Sequence, residues 1–332
     1  MKENEVLLKI EDLKVYFNTY AGVVKAVDGV DLSIFHGESF ALVGETGCGK
    51  STVARAILRL VPPPGRIVSG RIIFDGIDLM KLPEDKLREI RGSMIAYICQ
   101  DPTSALDPLF TCGYQIAETI VSHNSIKWND AWNKSLKLLL HVAIPEAKKR
   151  LRNFPHELSG GMKQRVVISM SISNNPKLLI ADEPTTALDV TIQAQIMDLI
   201  KSLKDKYNMT LLLITHNLGL VAEYCDRVAV MYLGKIVEVA DVYELFERPL
   251  HPYTQGLLRA VPNPLKKVER LYPIAGMIPS PINLPPGCRF HPRCPYVMDR
   301  CKVSEPPLVE IGQGHYVACW KYVKGEVHEA IH

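Results

Sequence analysis

One stretch of this sequence has the residue types and spacing needed to hold phosphate. Gly44-Glu45-Thr46-Gly47-Cys48-Gly49-Lys50-Ser51, followed by Thr52, fits the pattern GxxxxGK[ST]. In such a loop the glycines let backbone N–H groups curl around phosphate oxygens, and the start of the following helix adds a favourable dipole. Lys50 would neutralise charge on the β- and γ-phosphates, and Ser51 would offer its hydroxyl to Mg²⁺. A Gly-rich turn that merely precedes a lysine has the same composition. The run SFALVG before the loop reads as a buried strand, and a helix is predicted from Lys50, which is the context a phosphate loop requires. ATP and Mg²⁺ are the expected cofactors.

A second set of polar residues follows an apolar run. In LLIADEPT a predicted strand ends in Asp182 and Glu183; Asp182 is expected to hold Mg²⁺ or its water, and Glu183 to polarise an attacking water. Acidic residues often do no more than end a strand, so this pair is weak by itself. The run Leu158-Ser159-Gly160-Gly161-Met162-Lys163-Gln164-Arg165 adds a natural helix N-cap, Ser159. Gly160 and Gly161 expose N–H groups at that helix start, a second anion site without a lysine.

LSGGMKQR resembles the signature sequence of the ABC ATPase family, and it occurs shortly before the DEPT strand, as it does there. The resemblance implies a head-to-tail dimer in which each signature completes the other subunit's ATP site. It also implies that Gln100, in ICQDPTSALDP, is the glutamine that reaches the metal and the attacking water. TALD (residues 186 to 189) matches the D-loop and puts Asp189 at the subunit junction, and His216 after TLLLIT matches the histidine that contacts the γ-phosphate. The resemblance puts an adenine-stacking aromatic near LKVYF. Phe17 is the choice, with Tyr16 and Tyr20 as alternatives.

Of eight cysteines, Cys288, Cys294, Cys301 and Cys319 crowd the end of the chain in the spacing C-x5-C-x6-C-x17-C. An ATP-using chain without a secretory signal belongs to a reducing compartment, where clustered thiols are more often a metal site than disulfides. Four thiolates suit a [4Fe-4S] cluster or Zn²⁺, and the C-x2-C knuckles typical of zinc are absent. His291 and His315 are nearby substitute ligands, and reduced free thiols remain the plain alternative. GCRFHPRCPYVMDRC together with HPYTQGLLRAVP closely resembles the C-terminal region of oligopeptide and dipeptide importer ATPases, some of which carry an iron-sulfur cluster at these cysteines. The [4Fe-4S] cluster is the favoured expectation.

The elements that must position these residues are legible in outline. Residues 6 to 46 read as alternating strands, GRIIFDGIDL as a short hairpin and MIAYIC as a strand. From Gly113 to about Lys149 the apolar period turns helical. KLLIAD and TLLLIT, separated by a helix-length segment, then suit a parallel sheet with crossover helices. The expected class is α/β: a P-loop NTPase core of ABC ATPase type with an antiparallel β subdomain and a helical subdomain at about 100–172. Past Val239 the Pro-rich segment through HPYTQGLLRAVPNP into PSPINLPPG reads as a linker-like extension; with the boundary near residue 255, a nucleotide-binding domain is expected over 1–255 and a Pro/Cys-rich C-terminal extension with a four-cysteine metal site over 256–332.

The chain has 332 residues, 47% hydrophobic and 23% charged, which suits a folded protein of more than one unit. A net charge of +3 without a clustered basic face argues against a nucleic-acid partner. No apolar run approaches the ~20 residues of a membrane-spanning helix, so membrane work would come through other chains. The resemblance implies a second ATPase subunit, a paralogue or another copy, two membrane permease subunits and, indirectly, an extracytoplasmic peptide-binding protein. It places the chain peripherally on the cytoplasmic face of the cell membrane. Nickel or another small cargo is the alternative to di- or oligopeptides, and a soluble ABC ATPase with a regulatory iron-sulfur site is the alternative of another class.

Overall fold

The computed structural model describes residues 5–186, 188–260 and 274–323. The opening MKEN, Ala187 of the TALD stretch and the VP that ends HPYTQGLLRAVP lie outside the described residues. The chain begins with β1 (Val6–Thr19), β2 (Gly22–Phe35), β3 (Ser39–Val43), α1 (Lys50–Ile57), β4 (Gly65–Phe74) and β5 (Ile77–Asp78). Then come α2 (Glu84–Ile90), β6 (Ile95–Ile98), α3 (Pro102–Ala105), α4 (Cys112–Val121), α5 (Trp128–His141), α6 (Ala147–Arg150) and α7 (Gly160–Ile172). Strands and helices alternate through β7 (Leu178–Asp182), α8 (Val190–Tyr207), β8 (Thr210–Thr215), α9 (Leu218–Tyr224) and β9 (Arg227–Tyr232). The remainder holds β10 (Lys235–Asp241), α10 (Val242–Glu247), α11 (Pro252–Arg259), α12 (Asp299–Val303), β11 (Val309–Gly312) and β12 (His315–Val317). These elements divide between two compact units.

The first unit contains Phe35–Ser39 and Lys81–Ile214. Its strands run parallel in the order β8-β7-β6, with Ile95 opposite Leu178 and Leu178 opposite Thr210. Every residue of β7 and β8 is buried, as expected of the uninterrupted apolar runs KLLIAD and TLLLIT. The helices form where the period is helical. In α5 the buried residues Ala131, Ser135, Leu138 and Leu139 recur at one-face spacing. Thr111 caps α4, Ser159 caps α7 and Asp189 caps α8, each side chain accepting a backbone N–H of its helix's first turn.

The second unit contains Val6–Ile34, Phe40–Met80 and the described residues from Thr215 onward. One of its sheets has the order β2-β1-β4-β5, with β1 and β4 antiparallel from Leu8 opposite Phe74 to Phe17 opposite Gly65. A Cβ at Gly65 would come within 2.5 Å of the Phe17 ring, so the glycine is what lets that ring lie across the strand. Five further strands run β11-β12-β10-β9-β3. Here β3 is parallel to β9, and the others are antiparallel, β10 pairing with both β9 and β12.

The linker-like reading of the residues past Val239 needs correction. Asp241 caps α10, His251 caps α11 with Pro252 in its first turn, and β12 pairs with β10, Glu238 opposite Val317 and Val239 opposite Tyr316. Tyr253 and Phe290 join Tyr232 in a core with Val43, Val228 and Val230. Their ring centroids stand 4.6 to 5.4 Å apart, the spacing of well-packed aromatic pairs. Proline excludes long regular elements, but it is tolerated at helix starts and in short turns, so a Pro-rich segment can still deliver large apolar side chains to a core.

Candidate functional site

The phosphate loop lies in the second unit and springs from β3, all five residues of which are buried. Its glycines are required for different reasons. A Cβ at Gly44 (φ 152°) would meet the Met231 carbonyl oxygen at 2.1 Å, and one at Gly49 (φ 111°) would meet that of Ala26 at 2.1 Å, so packing permits no side chain at either position. Gly47 (φ 82°) has open space and is needed for its left-handed backbone. Gly49 is also the N-cap of α1 and has no side chain with which to cap it, which keeps that helix start available to an external anion.

Lys50 is buried, and its ammonium group donates to the carbonyls of Gly44 (2.8 Å) and Glu45 (3.1 Å). Burial pushes the Cys48 thiol up in pKa against the pull of Lys50, so Cys48 packs as a neutral side chain. Thr46, Ser51 and Thr52 complete the loop and the first turn of α1. The loop is also braced from outside its own sequence. The Glu45 N–H donates to the Tyr253 hydroxyl (2.8 Å), and the Glu45 carboxylate accepts two bonds from Arg293, at 2.8 and 3.1 Å.

The carboxylates lie in the first unit, at the end of β7. Asp182 is 2% exposed and its Oδ2 accepts from the Tyr97 hydroxyl at 2.8 Å. Glu183 takes a left-handed backbone (φ 47°), a strained conformation for a residue with a Cβ. That turn is fixed by its N–H donating to the Ile214 carbonyl (2.8 Å). Its Oε2 accepts from Gln100 Nε2 (3.1 Å) and from the Thr186 hydroxyl (2.8 Å). The structure therefore brings together Gln100 and Glu183, expected from separate stretches of sequence. It adds Tyr97 and Thr186, which lay within the MIAYIC and TALD stretches without an assigned task.

Ser159, Gly160 and Gly161 at the start of α7 line one surface depression with Leu188, Asp189 and Ile192. Ser159 Oγ accepts from the Met162 N–H (3.4 Å), and Asp189 Oδ1 from the Ile192 N–H (3.0 Å). Neither glycine has a positive φ. A Cβ on Gly161 would crowd Ile192 at 3.0 Å, whereas one on Gly160 would make only ordinary contact with Leu188 at 3.5 Å. His216 belongs to the second unit, exposed, directly after β8.

Phe17 packs its ring on Gly65, and the Tyr16 hydroxyl is engaged by Asp28. Tyr20 stands fully exposed in the turn between β1 and β2.

Cys288, Cys294, Cys301 and Cys319 line one small cavity with His251, Phe290, His291 and Trp320. Burial, with the neighbouring thiols adding to it, pushes Cys288 up to about 12, and burial pushes Cys319 up to about 11. His315 is not available as a substitute ligand: its Nε2 lies 2.9 Å from Glu238, a fully buried carboxylate that also accepts the N–H groups of Leu250 and His251. The donor set, four soft sulfurs around one enclosed space, fits a thiolate-held group. Among the described residues, however, no group of three or more His, Cys, Asp or Glu side chains is arranged to hold a metal ion. The expected metal site is therefore not shown as formed. Among the described residues, too, no helix is long and apolar enough to cross a membrane.

Residues 27–186 match the family described as "ABC transporter", and residues 237–301 match "Oligopeptide/dipeptide transporter, C-terminal region". The chain is 47% identical over 317 residues to the oligopeptide transport ATP-binding protein AppD of Bacillus subtilis (strain 168), covering 95% of this chain and 97% of that one. It is 45% identical over 313 residues to the dipeptide transport ATP-binding protein DppD of Escherichia coli (strain K12), covering 94% and 96%. Among solved structures it resembles a dimeric ATP-binding cassette in a post-hydrolysis state bound to ADP and Pi. That match has a TM-score of 0.64 and 26% identity, covering 71% of this chain and 98% of the other. It also resembles CbiO1 of Clostridium perfringens, part of the ABC transporter complex CbiONQ, with a TM-score of 0.62 and 29% identity over 74% and 92% of the chains. A glycine cradle ahead of a buried lysine, a strand ending in paired carboxylates and a serine-capped Gly-Gly helix thus occur in a chain with the ABC cassette fold, which is an ATPase and belongs to the oligopeptide/dipeptide family of ABC transporter ATP-binding proteins.

Proposed function

We propose that this chain hydrolyses ATP to drive import of di- or oligopeptides. It would work from the cytoplasmic face of the membrane, bound to two permease subunits that an extracytoplasmic peptide-binding protein supplies. Its ATPase partner, a paralogue or another copy, lies head to tail with it. The cargo reading is supported by relatives named for oligopeptide and dipeptide transport at 44–47% identity along nearly the whole chain.

The observation that carries the chemistry is the bond from Gln100 to Glu183. It fixes a carboxylate one residue beyond Asp182, where a water-polarising base is needed beside a metal-holding one. Lys50 and the N–H groups of residues 44 to 52 hold the β- and γ-phosphates. Mg²⁺ would be held by Ser51, Asp182 and Gln100, and would supply charge neutralisation for phosphoryl transfer. Glu183 takes the proton of the attacking water, and His216 contacts the γ-phosphate. Ser159, Gly160 and Gly161 donate to the γ-phosphate held by the partner's loop, and Asp189 lies at that junction. Loss of the γ-phosphate removes the contacts bridging the two subunits, and the dimer reopens.

For adenine, Tyr20 fits better than Phe17, because the Phe17 ring is already packed on Gly65 and Tyr20 has both faces free. The test of the ATPase assignment is Glu183→Gln in the assembled transporter. Hydrolysis should fall by at least about 100-fold while ATP holds the two ATPase subunits together. A variant that still turns over, or that binds ATP only as a monomer, refutes it.

We further propose that 256–332 works as a C-terminal module following a nucleotide-binding domain of 1–255, and that Cys288, Cys294, Cys301 and Cys319 hold a [4Fe-4S] cluster. Support comes from the shared cavity and the all-sulfur donor set. Anaerobically purified protein should contain iron and labile sulfide in equal amounts and absorb in the thiolate-to-iron region. Zinc without iron overturns this reading.

A further inference from the structure

Arg293 sits in a short helical turn, His291–Arg293, whose other bonds position thiols. His291 N–H donates to the Cys288 carbonyl (3.0 Å), Arg293 N–H to that of Phe290 (2.9 Å) and Cys294 N–H to that of His291 (3.3 Å). The Arg293 side chain is 4% exposed. Its Nε donates to the Ala275 carbonyl (3.2 Å), and its Nη1 reaches the Tyr232 hydroxyl (3.4 Å). The guanidinium also stands 5.9 Å from the Tyr232 ring centroid and 6.0 Å from that of Phe290. So restrained, it meets the Glu45 carboxylate with both terminal nitrogens, 248 residues away in sequence. A guanidinium fork on a carboxylate sets both distance and orientation, which a point charge does not.

Glu45 lies inside the phosphate loop. Its carbonyl accepts from the Lys50 ammonium group and from the Cys48 N–H, and its carboxylate adds a negative charge to a loop that must receive a polyphosphate. Uncompensated, that charge opposes nucleotide binding, because like charges a few ångströms apart repel strongly at partly buried sites.

We propose that Arg293 is a positioning residue for nucleotide: it neutralises and orients Glu45, and so ties ATP affinity to the geometry of the four-cysteine pocket. The link rests on the ATPase reading of the loop and on the pocket's shape; it does not require the pocket to hold a metal. Removing the guanidinium leaves Glu45 charged and free to turn. Removing the Glu45 charge as well lifts the repulsion, so the second change repairs the first, a pattern that simple loss of packing does not produce.

The experiment measures KM for ATP and kcat in the assembled transporter, with melting temperature as a control for folding. Arg293→Ala should raise KM roughly tenfold with kcat within about twofold of wild type, the signature of lost uniform binding. Arg293→Lys should fall between the two. The Glu45→Gln variant sets its own reference KM, and the Arg293→Ala/Glu45→Gln double variant should return KM to near that reference. Cys294→Ser should raise KM in the wild-type background and leave it unchanged in the Glu45→Gln background. If Arg293→Ala does not assemble, Arg293→Gln and Arg293→Lys take its place, with KM ordered Gln above Lys above wild type. An unmoved KM, a double variant as weak as Arg293→Ala, or a Cys294→Ser effect equal in both backgrounds overturns the proposal. Iron and zinc contents measured on the same samples report on the cluster separately.

Discussion

Tyr97→Phe removes a single oxygen from the chain, and its consequence is readable from the geometry. The Tyr97 hydroxyl donates to Asp182 Oδ2 at 2.8 Å, and Asp182 is 2% exposed, so water has little access to replace the lost donor. A hydrogen bond to a charged group contributes about 1.5–3 kcal/mol, and the loss of a partner that orients a metal ligand typically weakens metal binding by about 10–100-fold. These two scales agree, since 1.4 kcal/mol is about a factor of ten. With Asp182 in its proposed role, the Mg²⁺ concentration for half-maximal ATPase activity should rise at least about tenfold, while kcat at saturating Mg²⁺ falls only a few-fold. The assay is ATP hydrolysis by the assembled transporter, with free Mg²⁺ titrated at fixed ATP. An unshifted Mg²⁺ curve would refute the reasoning. So would a loss of kcat that saturating Mg²⁺ does not recover, because it would place Tyr97 in the chemical step rather than behind the metal ligand.

Other expectations follow from the same geometry. Gly49→Ala places a Cβ 2.1 Å from a backbone oxygen at φ 111°, so it should abolish nucleotide binding and destabilise the protein by roughly 1–3 kcal/mol, whereas Gly312→Ala, with open space around it and no left-handed backbone, should be far milder by thermal melting. His251 is fully buried with Nδ1 accepting the Tyr253 N–H, and burial lowers its pKa from 6.5 to about 4. The unfolded chain therefore takes up a proton first as pH falls. Stability from this group is complete above about pH 6.5 and is lost between there and about pH 4, amounting to about 3 kcal/mol. Denaturant melts across that window should show the loss, and His251→Asn, which keeps a capping acceptor without titrating, should flatten it. Tyr20→Ala should raise KM for ATP by about tenfold and Phe17→Ala should act mainly on stability; the reverse order in ATPase assays would restore Phe17 as the stacking residue.

In the first unit, Glu183, Gln100 and Thr186 converge because β6 and β7 are parallel neighbours whose ends lie level, Ile98 opposite Ala181. A stretch of sequence shows that a strand ends in carboxylates. Only the register of the sheet decides which side chain of the next strand's exit meets them.

What the residues determined alone is local. Gly44, Gly47 and Gly49 dictate a backbone path that few other residues could follow, Ser159 and Asp189 cap the helices that begin just after them, and the runs before Asp182 and His216 read as strands because they are short and uninterruptedly apolar. Each of these follows from the conformational limits of a few consecutive residues, so each was legible without a fold. Tertiary structure decided the rest: that Tyr97 stands behind Asp182, that His315 belongs to Glu238 rather than to the cysteines, and that Arg293 and Tyr253 reach the phosphate loop. These partners lie 77 to 248 residues apart in the chain, and no periodicity encodes a pairing of that range. The Pro-rich tail shows the same limit, since its turns were visible while the burial of Tyr253 and Phe290 depended on β9 and β10 being there to receive them.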